Sequence, residues 1–454
     1  MIDLFEVRNF KSIKAMTMEM RPFMVLVGPN GAGKTNVVHA LELFGDILQR
    51  GTTDPAREQG WDEIIRREKK PARGGISFRI RTSIPAPRIY VQHKRNAERQ
   101  ESPARQPGPE RLTAELALKL EGRLDSNDVI PVSEALTLQG QHGTLHLGVE
   151  GNDAIVDLGE DRFLHEIVAD SMISAVFHKD LFADRATVDR SLSEILRQVL
   201  LSNDREDSAG SGVLRLLNPQ RWFSPFLVDH LARTCRVMRL RLDTSALRQD
   251  GPTGPRGANL LGHEGQGLPA AIDRLRGHGA TPDPAFRQVL AALQRVYPRI
   301  EDVRAEKIQP GKMTLFFKER GIQEELGVAS VSDGVLHALA LLMMLEGSPR
   351  SAGILAIEEP ENAIHPWSVQ AMVRRVQESP GRQVLLTTHS ETVVNAVKDP
   401  GALHVVENDD RLGTVVTPAL DRERALKTIL SESGQNLGDV WMDGSLGGVP
   451  KGEP

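Results

Sequence analysis

Two short stretches hold residues whose types and spacing could do chemistry. The first, "GPNGAGKT", runs from Gly28 to Thr35 and fits the spacing G-x-x-x-x-G-K-[ST]. A strand-like run precedes it and apolar residues at helical spacing follow it, the context this pattern needs. Gly28, Gly31 and Gly33 let the backbone curl until several N–H groups face inward, a nest for phosphate oxygens, with Pro29, Asn30 and Ala32 completing the turn. A helix start near Lys34 adds its positive dipole end. The Lys34 ammonium is then placed to reach β- and γ-phosphates, and the Thr35 hydroxyl to ligate Mg²⁺.

The second stretch is "GILAIEEPENAIHP", residues 353–366. Its apolar run stops abruptly at two adjacent glutamates. Two like charges side by side resist burial, so a cation and a proton-transfer task are what would favour them. Glu358 reads as the metal-side acid, acting through water, and Glu359 as the base that polarises an attacking water. The plainer alternative is a solvated helix N-terminus, where glutamates are welcome in any protein. The glycine loop upstream favours the first reading.

The elements that must position these residues follow from pattern. "MIDLFEVRNFKSIKAMTMEMRPFMVLVG" reads as short strands, the last ending at Gly28, and "TNVVHALELFGDILQR" as a helix stopped by Gly51. Strand-like pieces follow in "GISFRIRTS", "RLTAELALKLEG" and "GTLHLGVEG", interrupted by "HKRNAERQESPARQPGPER", which has the composition of an exposed or disordered loop. Residues 161–248 read as mainly helical. "AFRQVLAALQRVY" is an amphipathic helix and "KMTLFFKE" a strand. From residue 331 the order is helix, strand, helix, strand: "GVLHALALLMMLE", "GILAI", "SVQAMVRRVQE", "RQVLLTT". Such alternation predicts a parallel α/β sheet.

The 454 residues leave room for two or three domains, and 40% hydrophobic with 26% charged residues describes an ordinary globular protein. A net charge of −5 excludes a chain that is basic throughout. One cysteine, Cys235, excludes an internal disulfide and fits a reducing cytoplasm. Neither a signal-peptide core nor a run of about 20 apolar residues is present, so a cytoplasmic chain without a membrane span is expected.

Glu358 lies 324 residues after Lys34, and no N-K-x-D guanine-reading motif is present, which argues against a small GTPase. Two further pieces flank the acids: "VSDGVLHALALL" before them and "LLTTHSETVVNAV" after. Ser332 with the Gly334 N–H, at a helix start, would make a second anion site, though a plain helix N-cap explains the same residues. Together with "VRNFKSIK" near the start, these pieces resemble the ATP-binding-cassette ATPases of the SMC, RecF and OLD group, and most of all the bacterial AAA-family ATPases with an interrupted head. The resemblance implies an α/β P-loop head built from both chain ends: 1–60 and 281–454. A β-rich lobe at 61–160 and a helical lobe at 161–280 would be inserted between them.

By the same resemblance Ser332, Asp333 and Gly334 are the signature that meets the γ-phosphate on a partner head. Glu358 and Glu359 are the metal-side and catalytic acids, His389 is the switch histidine, and Asn9 and Lys11 lie near the nucleotide. ATP and Mg²⁺ are the implied ligands, and an ATP-dependent dimer or higher oligomer the implied state. A glutamine loop has three candidates, Gln92, Gln139 and Gln141. His365 reads as a structural cap, and "LHALALLMMLE" as core. Glu407, Asp409 and Asp410 read as a solvated turn.

The chain has no room for a long coiled coil, and no metalloprotease, paired C-x-x-C or Ser-His-Asp pattern is present. The expected role is a sensor or scaffold ATPase of a bacterial antiviral defence system with a separate nuclease or toxin effector. The alternative is a RecF-like DNA clamp, supported by the basic stretch from Arg66 to Arg111 that includes Lys69, Lys70, Arg73, Lys94, Arg95 and Arg99.

Overall fold

The computed structural model describes residues 1–67, 75–85, 111–122, 128–140, 143–151, 153–157, 159, 225–252, 261–277, 281–347, 353–378, 382–419 and 436–448. Its strands are β1 (Ile2–Phe10), β2 (Ile13–Glu19), β3 (Phe23–Val27), β4 (Ile76–Pro85), β5 (Arg111–Gly122), β6 (Val129–Gln139), β7 (Thr144–Glu150), β8 (Asp153–Asp157) and β9 (Val237–Leu240). They continue with β10 (Gly251–Pro252), β11 (Ile300–Gln309), β12 (Lys312–Glu319), β13 (Leu326–Gly327), β14 (Ile354–Glu358), β15 (Gln383–Thr388), β16 (Leu403–Asp409) and β17 (Gly413–Pro418). Thirteen of them form one sheet in the order β8-β7-β6-β5-β4-β1-β2-β17-β16-β3-β15-β14-β9. A small antiparallel sheet, β10-β12-β11 with β13 on β12, stands apart.

The large sheet changes character along its length. From β16 to β9 the strands pair in parallel. β3, β14 and β15 read as nearly continuous apolar runs because both faces are covered. Met24, Leu26, Ile354, Ala356 and Leu385 face one core with the helix Lys34–Arg50. Val25, Val27, Leu355, Ile357 and Leu386 face a second core with the helices Asp333–Leu342 and Pro366–Gln377. From β8 to β2 the pairing is antiparallel, and β5 alternates buried and half-exposed residues, as a sheet covered on one face should.

The helix Lys34–Arg50 spans both regimes. Its Phe44 stacks on Phe78 of β4, centroids 5.3 Å apart, and it ends at Gly51, whose left-handed φ of 62° lets its N–H reach the Ile47 carbonyl.

Three sequence expectations change here. The strands expected as an inserted β-rich lobe pair edge to edge with the head, β4 on β1, so that the alternating apolar face of β4–β7 extends the head's own core. Within 161–280, expected to be helical, Val237–Leu240 is a strand: it pairs in parallel with β14, and Leu240 fills the second core. Residues 161–224, with most of that lobe, and the loop 86–110 lie outside the described residues. The helix expected through residue 346 widens at Met343–Gly347 into a π turn.

Candidate functional site

The phosphate loop closes at the C-terminal end of β3, where β3, β15 and β14 lie side by side. Its glycines are required by space and by backbone. A side chain at Gly28 would collide with the Val406 carbonyl, and Gly33, at φ 102°, abuts the Thr414 hydroxyl. Lys34 is 6% exposed and donates to the carbonyls of Gly28 (2.7 Å) and Pro29 (3.0 Å). The ammonium is thus curled back over the loop that a phosphate would occupy. Burial lowers the Lys34 pKa, and the nearby carboxylates of Glu359, Glu361 and Glu358 oppose that shift.

The loop is also braced from outside. Asn36 Nδ2 donates to Ser12 Oγ (2.6 Å), and Ser12 Oγ lies 2.6 Å from Thr414 Oγ1. The β1–β2 turn containing Lys11 and Ser12 therefore supports the loop through Ser12. Lys11 Nζ donates to His39 Nδ1 (3.0 Å), and Asn9 donates to the Gly75 carbonyl; among the described hydrogen bonds neither side chain reaches the loop. Ser12, Asn36 and Thr414 escaped sequence reasoning because their contact spans some 400 residues.

Thr35 and Glu358, 323 positions apart, meet directly: the Thr35 hydroxyl donates to Glu358 Oε2 at 2.6 Å. The other oxygen, Oε1, accepts from Arg239 Nε on β9. Glu358 is 4% exposed, and these two partners occupy both of its oxygens. The pairing of a hydroxyl and a carboxylate beside a phosphate nest is an oxygen donor set suited to a small hard cation.

Glu359 follows at a left-handed φ of 51°, a conformation that costs a non-glycine residue roughly 1–2 kcal/mol. The turn separates the two acids. Glu359 Oε2 accepts from Asn362 Nδ2 (2.9 Å), its Oε1 lies 3.9 Å from His389 Nδ1, and Arg241 stands 3.9 Å from Oε2. Glu361 is the organiser that sequence reasoning missed. Its Oε1 accepts from Thr388 Oγ1 (2.6 Å) and from the His389 N–H (3.2 Å), which pins the end of β15. His389 stays 41% exposed by side chain.

The signature residues are placed differently. Ser332 caps the helix Asp333–Leu342 by position but its side chain accepts no cap bond, and Ser332 and Asp333 are exposed. Asp333 pairs with Arg248, which also donates to the carbonyls of Val328 and Val331 (2.7 Å to Val331). Gly334 is buried against the Tyr297 hydroxyl and the Ala363 carbonyl, leaving no room for a side chain. Among the described contacts none joins Ser332, Asp333 or Gly334 to the phosphate loop.

His365 caps its helix as expected, Nδ1 accepting from the Trp367 N–H (3.3 Å). "LHALALLMMLE" is buried throughout except at its last residue. Asp409 closes the turn at Arg411 and Leu412, as a solvated turn should. Gln139 sits on β6, near the opposite edge of the sheet from β14, so it is no glutamine-loop residue; Gln92 and Gln141 lie outside the described residues. The same holds for Lys69, Lys70, Arg73, Lys94, Arg95 and Arg99 of the basic stretch. The strand beside the acid strand presents Arg239, and Arg241 follows its end. No helix is long and apolar enough to cross a membrane among the described residues.

Two segments of the chain match family models. Residues 1–72 match one described as "AAA ATPase domain", and residues 265–395 one described as "AAA domain, putative AbiEii toxin, Type IV TA system". The protein is an ATPase. The first matched segment contains Gly28–Thr35, and the second contains Ser332, Asp333, Gly334, Glu358, Glu359 and His389. No curated protein sequence matches the chain. Among solved structures the ATPase is similar to an SMC head bound to the C-winged helix domain of ScpA (14% identity, TM-score 0.47, 94% of this chain and 99% of that one). It is similar also to the SMC head domain from Thermotoga maritima (13%, 0.39, 92% and 98%) and to a Pyrococcus furiosus SMC head with an extended coiled coil bound to the C-terminal domain of ScpA (13%, 0.41, 94% and 99%).

Proposed function

We propose that two copies of this ATPase pair across ATP, and that formation and loss of the pair controls a separate nuclease or toxin effector in a bacterial antiviral defence system. The observation behind pairing is the contrast between a phosphate loop joined to its acids within one chain and a signature turn whose Ser332 faces solvent. The defence role takes its support from the toxin–antitoxin wording of the family description matched by residues 265–395.

In this reading the loop N–H groups from Gly28 to Thr35 and the Lys34 ammonium hold the phosphates, with Lys34 exchanging its two carbonyl partners for phosphate oxygens. Thr35 and Glu358 fit Mg²⁺, which when bound neutralises charge on the β- and γ-phosphates. Glu359 takes a proton from the water that attacks the γ-phosphorus, the bond to the β–γ bridging oxygen breaks, and ADP and phosphate leave. Asn362 and Arg241 hold the Glu359 carboxylate, and His389, fixed through Glu361, faces the γ-phosphate. Ser332 and the Gly334 N–H complete the site of the partner copy.

Light scattering on the Glu359→Gln protein tests the pairing. The mass should double on adding ATP and Mg²⁺ and stay monomeric with neither. A monomer at saturating ATP would remove the pairing. Affinity capture of the same variant from its native host tests the effector: a nuclease or toxin at equal stoichiometry supports it, and duplex DNA alone would replace it with the clamp.

A further inference from the structure

The helix Lys34–Arg50 is apolar where it faces the sheet except along one stripe. Thr35, His39, Glu42 and Asp46 recur at steps of four, three and four residues, so they share a face. All four are only half-exposed, and the stripe runs past β14 and β9. Arg239 enters it from β9. In the parallel register Arg239 lies opposite Ala356, two residues before Glu358, and residues two apart on a strand share a face. The Arg239 side chain, 14% exposed, therefore lies between two carboxylates: Nε on Glu358 Oε1 and Nη1 at 3.8 Å from Glu42 Oε2.

We propose that Arg239 is a positioning residue for the metal-side acid, held in a carboxylate–guanidinium–carboxylate chain of Glu42, Arg239 and Glu358. A carboxylate as buried as Glu358 is costly without a partner. Arg239 supplies that partner through Oε1 alone, so Oε2 stays aimed at Thr35. A fixed guanidinium beside a cation site would by itself repel the cation. Glu42 offsets that charge from the far side, and the three groups together keep one net negative charge for an incoming Mg²⁺. The planar fork suits this task, since one face can serve Glu358 while the other end serves Glu42.

The inference rests on Glu358 being the metal-side acid. Calorimetric ATP binding to the full chain, with Mg²⁺ varied and Glu359→Gln as background to stop turnover, tests both separately. Arg239→Met should raise the Mg²⁺ concentration at half-saturation about tenfold or more, the size expected for a charge-assisted bond. Binding of ATP in a chelator should change less than about twofold, because no phosphate contact is lost. Arg239→Lys should recover part of the Mg²⁺ response, since it restores charge without the fork.

Should Arg239→Met fail to fold, Glu42→Gln decides. It leaves Glu358 paired, and should still raise the Mg²⁺ requirement by about threefold, an effect that shrinks when Arg239 is replaced by Lys. An unchanged or lowered Mg²⁺ requirement in Arg239→Met or Glu42→Gln would overturn the proposal. If the background protein itself binds ATP equally with and without Mg²⁺, the assignment of Glu358 falls instead.

Discussion

The phosphate loop and the signature turn are both short, glycine-containing turns that open a helix, and they are finished to different degrees. Lys34 is buried and bonded to its own loop, and Thr35 already touches the acid from across the sheet. Ser332 and Asp333 stand in solvent at the head of a helix that is buried from Gly334 onward. A helix N-terminus is an anion site wherever it opens, so the difference lies in what faces each opening. The loop faces its own acids, whereas Gly334 of the signature turn is buried against Tyr297 and Ala363 and, among the described contacts, the exposed side chains of Ser332 and Asp333 meet only Arg248. One turn is closed onto its own chain, and the other leaves Ser332 and Asp333 open to solvent.

The largest effects should separate the two turns cleanly. Lys34→Ala should abolish ATP binding by calorimetry, a loss of at least ~100-fold, because both charge and phosphate contact go. Ser332→Arg should leave the affinity of the isolated chain within about twofold while turnover falls to background, since the substitution blocks a site belonging to the other copy. Equal loss of binding in both variants would erase the distinction between the turns.

Glu359→Gln comes next. It should retain ATP binding and lower turnover by about 10²- to 10⁴-fold, the usual worth of a general base. The amide keeps the shape of the carboxylate and the strained φ of 51°, so the loss reports proton transfer rather than folding. Wild-type turnover would move the base elsewhere.

A smaller effect probes the signature side alone. Arg248→Ala releases the carbonyls of Val328 and Val331 together with Asp333. Steady-state assays should show turnover reduced by about tenfold with ATP affinity unchanged, the size of one lost charge-assisted anchor. A drop in affinity instead would tie the signature turn to its own copy's nucleotide.

What was legible in the sequence follows the same division. Lys34 and Thr35 could be read from local spacing, and Glu358 from the abrupt end of an apolar strand, because each signal is contained within a dozen residues. The strands β3, β14 and β15 were legible for the same reason. Arg239 was not, since β9 is only four residues long and its identity as a strand depends on pairing with β14 more than 100 residues away. Glu361 hid behind two more conspicuous glutamates. Its role emerges only when β15 brings Thr388 and His389 against it. The joining of β4 to β1 was equally invisible, because alternation reports a covered face and not which neighbour continues the sheet.

The smallest effect compares the two helices through their histidines. His39 follows the phosphate loop and His337 the signature turn, and burial lowers the pKa of both, that of His39 to about 4. Arg239 and Lys11 push His39 further in the same direction, whereas Asp333 and Asp243 oppose the shift at His337. Lys11 donates to Nδ1 of His39, so the proton of the neutral ring sits on Nε2. Between pH 6.5 and about 4 the unfolded chain binds a proton at this histidine that the folded chain refuses. Stability should therefore fall as the pH drops through that window, and be fully present above it. A fully buried group with such a shift would lose about 3 kcal/mol. Partial exposure of His39 reduces the expected loss to about 1 kcal/mol. Urea melts at pH 7 and pH 4.5 should show this slope flattened in His39→Gln and nearly retained in His337→Gln. The reverse order would mean that the signature helix, and not the loop helix, is the one whose packing depends on excluding a proton.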